Sequence, residues 1–226
     1  MKPIPLIILG AGGNSLSILD AVDEINRRSL RGPVYELRGF LDDIPENQGK
    51  RVLGYPVLGR IDQARDFAEC RFINGIASAA SYTKKPEVNA RARIPNEMYE
   101  SIIHPTATVS PNSKVGVGTA IMANSVICAE AVIGDHVIIL QNTVVNHHST
   151  VGDFATLSSG ITVLGYVTIA RNAFVGGAAA IRPFITIGES ALVGMASVVV
   201  KDVADFTTVA GNPARPLKAK EPAPQA

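Results

Sequence analysis

Histidine is the side chain best suited to accept a proton near neutral pH, and the chain contains four: His104, His136, His147 and His148. His147 and His148 are adjacent, so one of them is a candidate general base. Two neighbouring histidines also suggest a metal, but no third ligand stands at a suitable spacing, and we therefore expect no metal site. We expect His104 to lie at a domain junction and His136 to face solvent.

A glycine-rich turn near the N-terminus could bind a ligand through its backbone. The apolar run Pro5–Leu9 ends in Gly10-Ala11-Gly12-Gly13-Asn14-Ser15, and a segment with helical spacing follows. Such a turn directs N–H groups and a helix N-terminus at a phosphate. Ser15 stands where a full dinucleotide fingerprint has its third glycine, so the match to an NAD-binding motif is incomplete. Asp42 and Asp43, at the end of a short strand, either accept hydrogen bonds from a base or ribose or simply cap that strand.

The elements around this turn alternate between strands and helices. Apolar runs bounded by turns predict further strands, and helical spacing predicts helices at Arg60–Phe67 and Lys85–Tyr99. The pair Ile102-Ile103 is expected to close the sheet. This alternation is typical of a small doubly wound parallel sheet, in which ligands bind at the carboxyl ends of the strands.

The second half of the chain carries a six-residue repeat. A period of six fits a short strand followed by a tight corner, so three units would form a triangular coil of 18 residues with the aliphatic residue inside. A β-sandwich with fortuitous spacing is the alternative. The repeat has no insertion, and its sixteen aliphatic residues are Val109, Val115, Ile121, Ile127, Ile133, Ile139, Val145, Val151, Leu157, Val163, Ile169, Val175, Ile181, Ile187, Val193 and Val199.

One outward face of the predicted prism favours association between subunits. Residues five positions after each aliphatic residue should point outward, and those one coil apart should stack on one face. On one such face they are mostly apolar: Val126, Val144, Thr162, Ala180 and Val198. An exposed apolar stripe of this kind indicates a subunit interface.

Length and composition describe a globular chain and argue against several partners. The chain has 226 residues, 46% of them hydrophobic, and a formal net charge of +1. No basic patch appears, so we expect no nucleic-acid partner. No apolar stretch reaches the roughly 18 residues of a membrane helix, so we expect no membrane association and interpret the apolar start as a buried strand rather than a signal peptide. Cys70 and Cys128 form no disulfide framework, which fits a reducing cytoplasm.

Several segments between residues 4 and 217 resemble those of one family, the NeuD/PglD-type sugar acyltransferases, a branch of the hexapeptide-repeat acetyltransferases. The matching segments are Gly10–Asn14, Gly39–Asp43, Ile103–Pro105, Val145–His148 and Gly211–Ala214. The resemblance implies an α/β Rossmann-like domain over residues 1–103 and an all-β left-handed parallel β-helix over residues 104–217. It also implies a homotrimer with acetyl-CoA lying between neighbouring prisms. The Pro- and Ala-rich tail at 218–226 is expected to be disordered.

The resemblance also implies roles for individual residues. His147 matches the family's catalytic histidine and is expected to be the general base. Family members usually carry Asp or Glu directly after it, but this chain has His148 there. Glu130 lies 18 residues before His148, on the adjacent coil, so we hypothesise that it supports His148 or His147; otherwise it is a solvated glutamate.

Binding residues follow from the same resemblance. The nucleotide-linked substrate is expected to contact Gly12, Gly13, Asn14, Asp42, Asp43 and Ala77. Thr156 stands where the family often has a histidine that touches the cofactor, and Gly165 and Gly177 are expected to allow close approach of the pantetheine arm. The full set expected to contact acetyl-CoA is Thr156, Gly165, Gly177, Met195, Lys201 and Arg215, with Lys218 also available for the phosphates.

These expectations together describe a cytoplasmic acetyl-CoA-dependent N-acetyltransferase that acts on a nucleotide-linked amino sugar, in surface-glycan or lipopolysaccharide biosynthesis. A sugar O-acetyltransferase is one alternative, although a hydroxyl needs stronger base assistance than an amine. A β-helical binding protein with weakened catalysis is another, because His148 replaces the usual acid. A dehydrogenase is disfavoured, since the repeat leaves no catalytic domain for hydride transfer.

Overall fold

The N-terminal part of the chain is an α/β domain built on one five-stranded sheet. The computed structural model describes residues 2–217, so the predicted disordered tail, with Lys218, lies outside the described residues. The sheet order is β3-β4-β2-β1-β5, with β3 antiparallel to β4 and the other neighbours parallel. Its elements are β1 (Ile4–Leu9), α1 (Gly13–Arg28), β2 (Tyr35–Leu41), β3 (Arg51–Val52), β4 (Tyr55–Gly59), β5 (Arg71–Asn74) and α2 (Lys85–Ala92).

Strand β1 forms the centre of this domain, as its continuous apolar run predicts. Leu6 to Leu9 are fully buried, because helices or turns cover both faces of the sheet. Gly10 ends the strand with φ +88°, and a Cβ there would lie 2.5 Å from the Ile76 side chain. Only glycine therefore makes the turn that aims the N-terminus of α1 along the carboxyl edge of the sheet.

Both predicted helices after β4 are shorter than expected. Residues Ile61–Asp66 form a 3-10 helix. The helix expected over Lys85–Tyr99 ends at Ala92, because Arg93 adopts the left-handed conformation (φ +50°) and Pro95 follows soon after. Further 3-10 turns lie at Pro45–Asn47, Tyr82–Lys84 and Asn96–Met98.

The second half of the chain is a left-handed parallel β-helix, as the repeat and the resemblance predict. Its strands are mostly two residues long and recur every six residues. They are β6 (Ile102–Ile103), β7 (Thr108–Val109), β8 (Lys114–Val115), β9 (Ala120–Ile121), β10 (Val126–Ile127), β11 (Val132–Ile133), β12 (Ile138–Ile139), β13 (Val144–Val145), β14 (Thr150–Val151), β15 (Thr156–Leu157), β16 (Thr162–Val163), β17 (Thr168–Ile169), β18 (Phe174–Val175), β19 (Ala180–Ile181), β20 (Thr186–Ile187), β21 (Leu192–Val193), β22 (Val198–Val199), β23 (Thr208–Ala210) and β24 (Arg215–Pro216).

These strands form the three faces of a prism, with a register of 18 residues per coil, except that β21 pairs with β23 at a spacing of 16 residues. Face 1 has the order β24-β23-β21-β18-β15-β12-β9-β6, face 2 has β22-β19-β16-β13-β10-β7, and face 3 has β20-β17-β14-β11-β8. We name the turns by the faces that they join: the 1–2 corner, the 2–3 corner and the 3–1 corner. Fourteen of the sixteen repeat aliphatics are fully buried in one core, and Val109 and Val115, in the earliest repeats, are partly buried.

The α/β domain packs against the outer side of face 1. Outward-pointing Ala120 and Ile138 of this face belong to the same apolar cluster as Ile18 and Val22 of α1. The Tyr82 hydroxyl also donates a 2.9 Å hydrogen bond to the Ser190 carbonyl. Ile102-Ile103 was expected to close the N-terminal sheet, but it pairs with β9 and is the first strand of face 1. The β-helix therefore begins directly at the seam between the two domains.

Candidate active site

The two adjacent histidines lie on the 2–3 corner, in the turn between β13 and β14. Both side chains are exposed, their rings are nearly perpendicular (86°), and their Nδ1 atoms are 3.1 Å apart. The next residue, Ser149, points inward and donates a 2.9 Å hydrogen bond to the Leu164 carbonyl one coil later. The interior of the prism thus fixes the backbone that presents both imidazoles to solvent.

Gly165 lies one coil beyond His147 and makes room for its ring. A Cβ at Gly165 would stand 2.7 Å from Cε1 and 3.0 Å from Nε2 of His147. Gly165 was expected to admit the pantetheine arm, but the space over this glycine is occupied by the imidazole itself. Among the described residues the N–H of Gly165 has no hydrogen-bond acceptor.

An aromatic column continues from His148 along the same corner. The ring of His148 stacks on Tyr166 with centroids 4.7 Å apart, and Tyr166 stacks on Phe184 at 5.0 Å. All three residues are in the left-handed region, with φ between +59° and +63°. Tyr166 and Phe184 are 47% and 73% exposed, so the column forms an open aromatic surface beside His147.

Glu130 occupies the same column one coil before His148, as the spacing of 18 predicts. The predicted contact is nevertheless not formed. Within residues 2–217 no hydrogen bond or ion pair links the Glu130 carboxylate to either histidine, and its side chain is exposed. The position of its Cα follows from the coil, whereas the direction of a glutamate side chain at an exposed corner does not.

The residues expected to bind acetyl-CoA lie in four different places of a single chain. Gly165 is on the 2–3 corner under His147. Gly177 and Met195 lie on the 1–2 corner, where Met195 is 79% exposed. Lys201 and Arg215 line a cavity of about 530 Å³ near the C-terminal end of the prism. The fourth place is face 1, where Thr156 is fully buried.

Thr156 is inaccessible because a lysine of the other domain covers it. Lys85, at the start of α2, is fully buried, and its Nζ lies 3.5 Å from Oγ1 of Thr156. Burial lowers the pKa of Lys85 to about 7. The predicted contact between Thr156 and the cofactor therefore cannot form in this conformation.

The expectation that His136 faces solvent is wrong. Its ring is 4% exposed, stacks on Phe154 with centroids 5.0 Å apart, and contacts Tyr99 edge-on at 4.5 Å. Its Nε2 lies 2.9 Å from Oδ1 of Asn96. Burial lowers the pKa of His136 to about 4, so its imidazole is neutral at physiological pH. His136 is a seam residue, because residues 96–99 of the α/β domain cover the 3–1 corner.

His104, the fourth histidine, lies at the start of the β-helix, near α1. Its Nδ1 lies 2.9 Å from the Thr106 hydroxyl and accepts a 3.1 Å hydrogen bond from the Thr106 N–H. Burial lowers the pKa of His104. This position agrees with the expected domain junction, and it leaves His147 and His148 as the exposed histidines.

The six residues expected to bind the nucleotide all line one cavity of about 510 Å³ in the α/β domain. The cavity lies at the carboxyl edge of the sheet, next to the N-terminus of α1. The first turn of a helix leaves its N–H groups without intrahelical partners, and α1 has no acidic residue there. The N-terminus of α1 therefore suits an anionic ligand group. The six residues are Gly12, Gly13, Asn14, Asp42, Asp43 and Ala77.

Hydrogen bonds hold the polar residues of this cavity in place. The buried Asp42 carboxylate accepts 2.7 Å bonds from the N–H groups of Ala11 and Ile44. Asp43 forms an ion pair with Arg91 of α2. Asp42 therefore closes the glycine turn as well as the strand, and Asp43 keeps a guanidinium at the cavity.

Sequence reasoning missed two cations and explained one serine incompletely. Lys84 and Arg91 line the same cavity, but the helical spacing around them gives no sign of a ligand. Ser15, which breaks the dinucleotide fingerprint, is fully buried, and its hydroxyl donates a 2.8 Å bond to the Gly10 carbonyl. A Cβ at Gly75 would lie 2.2 Å from that hydroxyl oxygen. The close contact between helix α1 and the sheet therefore depends on Gly75, which follows β5, and not on a glycine at position 15.

Two classes of site find no support among the described elements. No set of three or more His, Cys, Asp or Glu side chains between residues 2 and 217 is arranged to hold a metal ion. Neither α1 nor α2 is long and apolar enough to cross a bilayer.

Comparisons with known proteins agree with this architecture. Residues 5–81 match the family model described as the PglD N-terminal domain. The acetyltransferase domain of PglB from Neisseria gonorrhoeae FA1090 is 28% identical, with a TM-score of 0.81 over 94% of this chain and 99% of that one. PerB from Caulobacter crescentus is 26% identical, with a TM-score of 0.76 over 95% of this chain and 97% of that one. WeeI from Acinetobacter baumannii AYE, at 23% identity and a TM-score of 0.61, shares the fold over 96% of this chain and 100% of that one. No curated sequence gives a significant match.

The parallel β-helix of hexapeptide repeats is the architecture of the PglB acetyltransferase domain and of PerB, which this chain resembles. The N-terminal α/β domain, with its glycine turn and its contact with face 1, is a further feature that this chain shares with those two proteins over nearly its full length. The chain is similar over nearly its full length to solved structures of NeuD/PglD-type sugar acetyltransferases, and its residues 5–81 match the PglD N-terminal domain.

Proposed function

We propose that this protein transfers the acetyl group of acetyl-CoA to the amino group of a nucleotide-linked amino sugar, in surface-glycan or lipopolysaccharide biosynthesis. The observation that carries the proposal is the exposed imidazole of His147, seated over Gly165 on a β-helix corner. The PglB acetyltransferase domain has been solved with acetyl coenzyme A, and PerB with CoA and GDP-perosamine. Both are more than 25% identical to this chain over nearly its full length.

The chemistry needs a base and an oxyanion donor on the same corner. The amine nitrogen attacks the thioester carbonyl and its proton passes to Nε2 of His147. The C–S bond then breaks, and the imidazolium returns this proton to the departing thiolate, so CoA leaves as a thiol. The tetrahedral intermediate carries negative charge on the former carbonyl oxygen, which an N–H group stabilises. The N–H of Gly165 has no partner among residues 2–217 and belongs to the residue that packs against the imidazole, so we assign it this role.

The nucleotide would bind in the cavity of the α/β domain. Its diphosphate fits the N–H groups at Gly12 and Gly13, because a helix N-terminus attracts anions. Lys84 lines the same cavity and adds positive charge. Asn14 is oriented by a 2.8 Å bond from its amide to the Ala77 carbonyl, which keeps the turn open toward the ligand.

We further propose a homotrimer in which face 2 points toward the threefold axis. The face 2 stripe predicted from the sequence runs in register along β10, β13, β16, β19 and β22, and several of its members are half-buried in one chain. When three prisms turn this face inward, the 1–2 corner of each meets the 2–3 corner of its neighbour. Gly177 and Met195 of one chain would then lie near His147 and Gly165 of the next chain. The proposed cofactor residues of the two corners would thus form one site between two chains. Lys201 and Arg215, further along, would reach the CoA phosphates.

A variant of His147 tests the proposed base. His147→Ala should lower kcat by about a hundredfold or more, since general-base catalysis contributes this much. Acetyl-CoA should still raise Tm, because binding does not need the base. The control is His104→Ala, which removes a histidine away from the corner and should retain turnover. Undiminished turnover by His147→Ala would contradict the assignment.

Two alternatives use the same site and can be separated by assay. A sugar O-acetyltransferase is less well supported, because no carboxylate contacts His147 in the described chain and a hydroxyl needs a stronger base. A binding protein with weakened catalysis would bind acetyl-CoA without turnover. Assaying amino and hydroxy sugars side by side, with the Tm shift by acetyl-CoA, distinguishes all three outcomes. The unpaired Cys70 and Cys128 support a cytoplasmic location, because thiols stay reduced there.

A further inference from the structure

The contact between the two histidines of the 2–3 corner joins the same atom of each ring. The two Nδ1 atoms are 3.1 Å apart, which is a hydrogen-bond distance. A neutral imidazole carries one N–H and one bare nitrogen. One Nδ1 must therefore donate and the other accept, so two neutral rings in this contact have opposite tautomers.

The direction of the bond follows from what His147 has to do. A general base needs Nε2 bare, so His147 must carry its proton on Nδ1. We propose that His148 is a positioning residue whose bare Nδ1 accepts the Nδ1–H of His147, and thereby takes the place of the acid that is usual at this position. This inference rests on the proposed function for the role of His147. His148 then carries its own proton on Nε2.

The aromatic column holds the imidazole of His148 in one orientation. A bulky residue in the left-handed region is unfavourable, and the equivalent turns at Asn124, Asn142 and Asn172 use asparagine, which tolerates it. On the 2–3 corner, His148 and Tyr166 instead take this conformation and stack, with an interplanar angle of 18°. The stacking fixes the plane of His148, so its Nδ1 stays directed at His147.

No other group in the described chain competes for this role. Glu130, one coil earlier, makes no bond to either ring, and the Asn146 amide donates to the Val163 carbonyl at 2.9 Å. Tyr166 contacts both rings through its face and edge. His148 is therefore the only partner of the His147 Nδ1 atom among residues 2–217, and it is neutral whenever it accepts this bond.

Nitrogen-15 NMR of the imidazole side chains tests the tautomers directly and without substrate. At a pH where both rings are neutral, His147 should be protonated on Nδ1 and His148 on Nε2. His148→Phe keeps a ring to stack on Tyr166 but has no acceptor, so His147 should move toward the Nε2–H form. His148→Asn fits the left-handed position and offers an amide oxygen, so His147 should keep its Nδ1–H.

Kinetics of the same variants separate positioning from a structural role. A wrong tautomer at a catalytic histidine lowers turnover strongly. We expect kcat of His148→Phe to fall at least about tenfold with KM for acetyl-CoA unchanged, and His148→Asn to recover most of that loss. Phe206→Asn, at an exposed left-handed site on the 3–1 corner (φ +54°), controls for the effect of removing such a ring on stability.

The outcomes distinguish this inference from the proposed function. An Nε2–H tautomer of His147 in the wild type, or equal kcat for His148→Phe and His148→Asn, would overturn the positioning role while leaving acetyl transfer intact. Full activity of His147→Ala would instead remove the proposed base, and the NMR result would still report whether the two rings have opposite tautomers.

Discussion

Lys85 provides a quantitative test of how the two domains meet. It lies at the start of α2, is fully buried, and has one long hydrogen bond, from Nζ to Oγ1 of Thr156 at 3.5 Å. No carboxylate lies within ion-pair distance of it in the described chain. Burial lowers the pKa of Lys85 from 10.5 to about 7, so the folded protein holds this proton much less tightly than the unfolded chain does.

The sign and size of the effect on stability follow from the two pKa values. Between pH 7 and 10.5 the unfolded chain binds more protons than the folded chain, so stability rises with pH across this window. The cost to the folded state is about 4 kcal/mol at pH 7 and about 1 kcal/mol at pH 9.5. Lys85→Met removes this cost while keeping an unbranched side chain. The lost hydrogen bond of Thr156 costs on the order of 1 kcal/mol at either pH.

Urea unfolding of wild type and Lys85→Met at the two pH values measures this difference. The variant should be more stable than wild type by about 3 kcal/mol at pH 7 and about equal to it at pH 9.5. Lys84→Met, which replaces the exposed neighbouring lysine, is the matched control and should not reproduce the stabilisation at pH 7. If Lys85→Met changed stability equally at both values, or destabilised the protein more at pH 7 than at pH 9.5, the buried amine would not be the source.

Two further predictions concern the corner and the assembly. Gly165→Ala places a Cβ 2.7 Å from Cε1 of His147, so the imidazole must move. We expect kcat to fall about tenfold or more while acetyl-CoA still raises Tm. An unchanged kcat would show that Gly165 does not hold the ring in place. Val144→Asp puts a charge in the middle of the face 2 stripe, so sedimentation should show loss of the proposed trimer, and activity should be lost with it. The control Thr150→Asp, on face 3, should leave assembly intact. A trimer that is unaltered in Val144→Asp would place the interface elsewhere.

The repeat made the β-helix predictable, because its determinants are local and periodic. Each coil needs one inward aliphatic residue per side, and the spacing that puts Val145 under Val163 is visible in the sequence itself. The same period correctly placed Glu130 and His148 in one column. The glycine turn and Asp42 were predictable for a similar reason, since both lie at the carboxyl edge of the first parallel strands.

The seam between the domains was not predictable, because the sequence holds no sign of which face is covered. His136 and Thr156 have the outward spacing of exposed residues, and they are buried only because the α/β domain lies on them. Lys85 appeared as an ordinary helix residue for the same reason. A lysine is seldom fully buried, so neither the residue type at position 85 nor its spacing in the helix predicts that it faces Thr156.

On the 2–3 corner, each residue depends on the residue that stacks on it one coil later. Inward positions are occupied by the core, so chemical variation without loss of the fold is possible only at outward-facing and corner positions. Each corner residue is shaped by the residue one coil later: Gly165 makes room for the His147 ring, and Tyr166 supports the His148 ring. A carboxylate at position 148 would orient His147 but would leave Tyr166 without the ring on which it stacks. The histidine pair and the Gly165-Tyr166 pair therefore form one unit, in which the neutral acceptor and its aromatic support depend on each other.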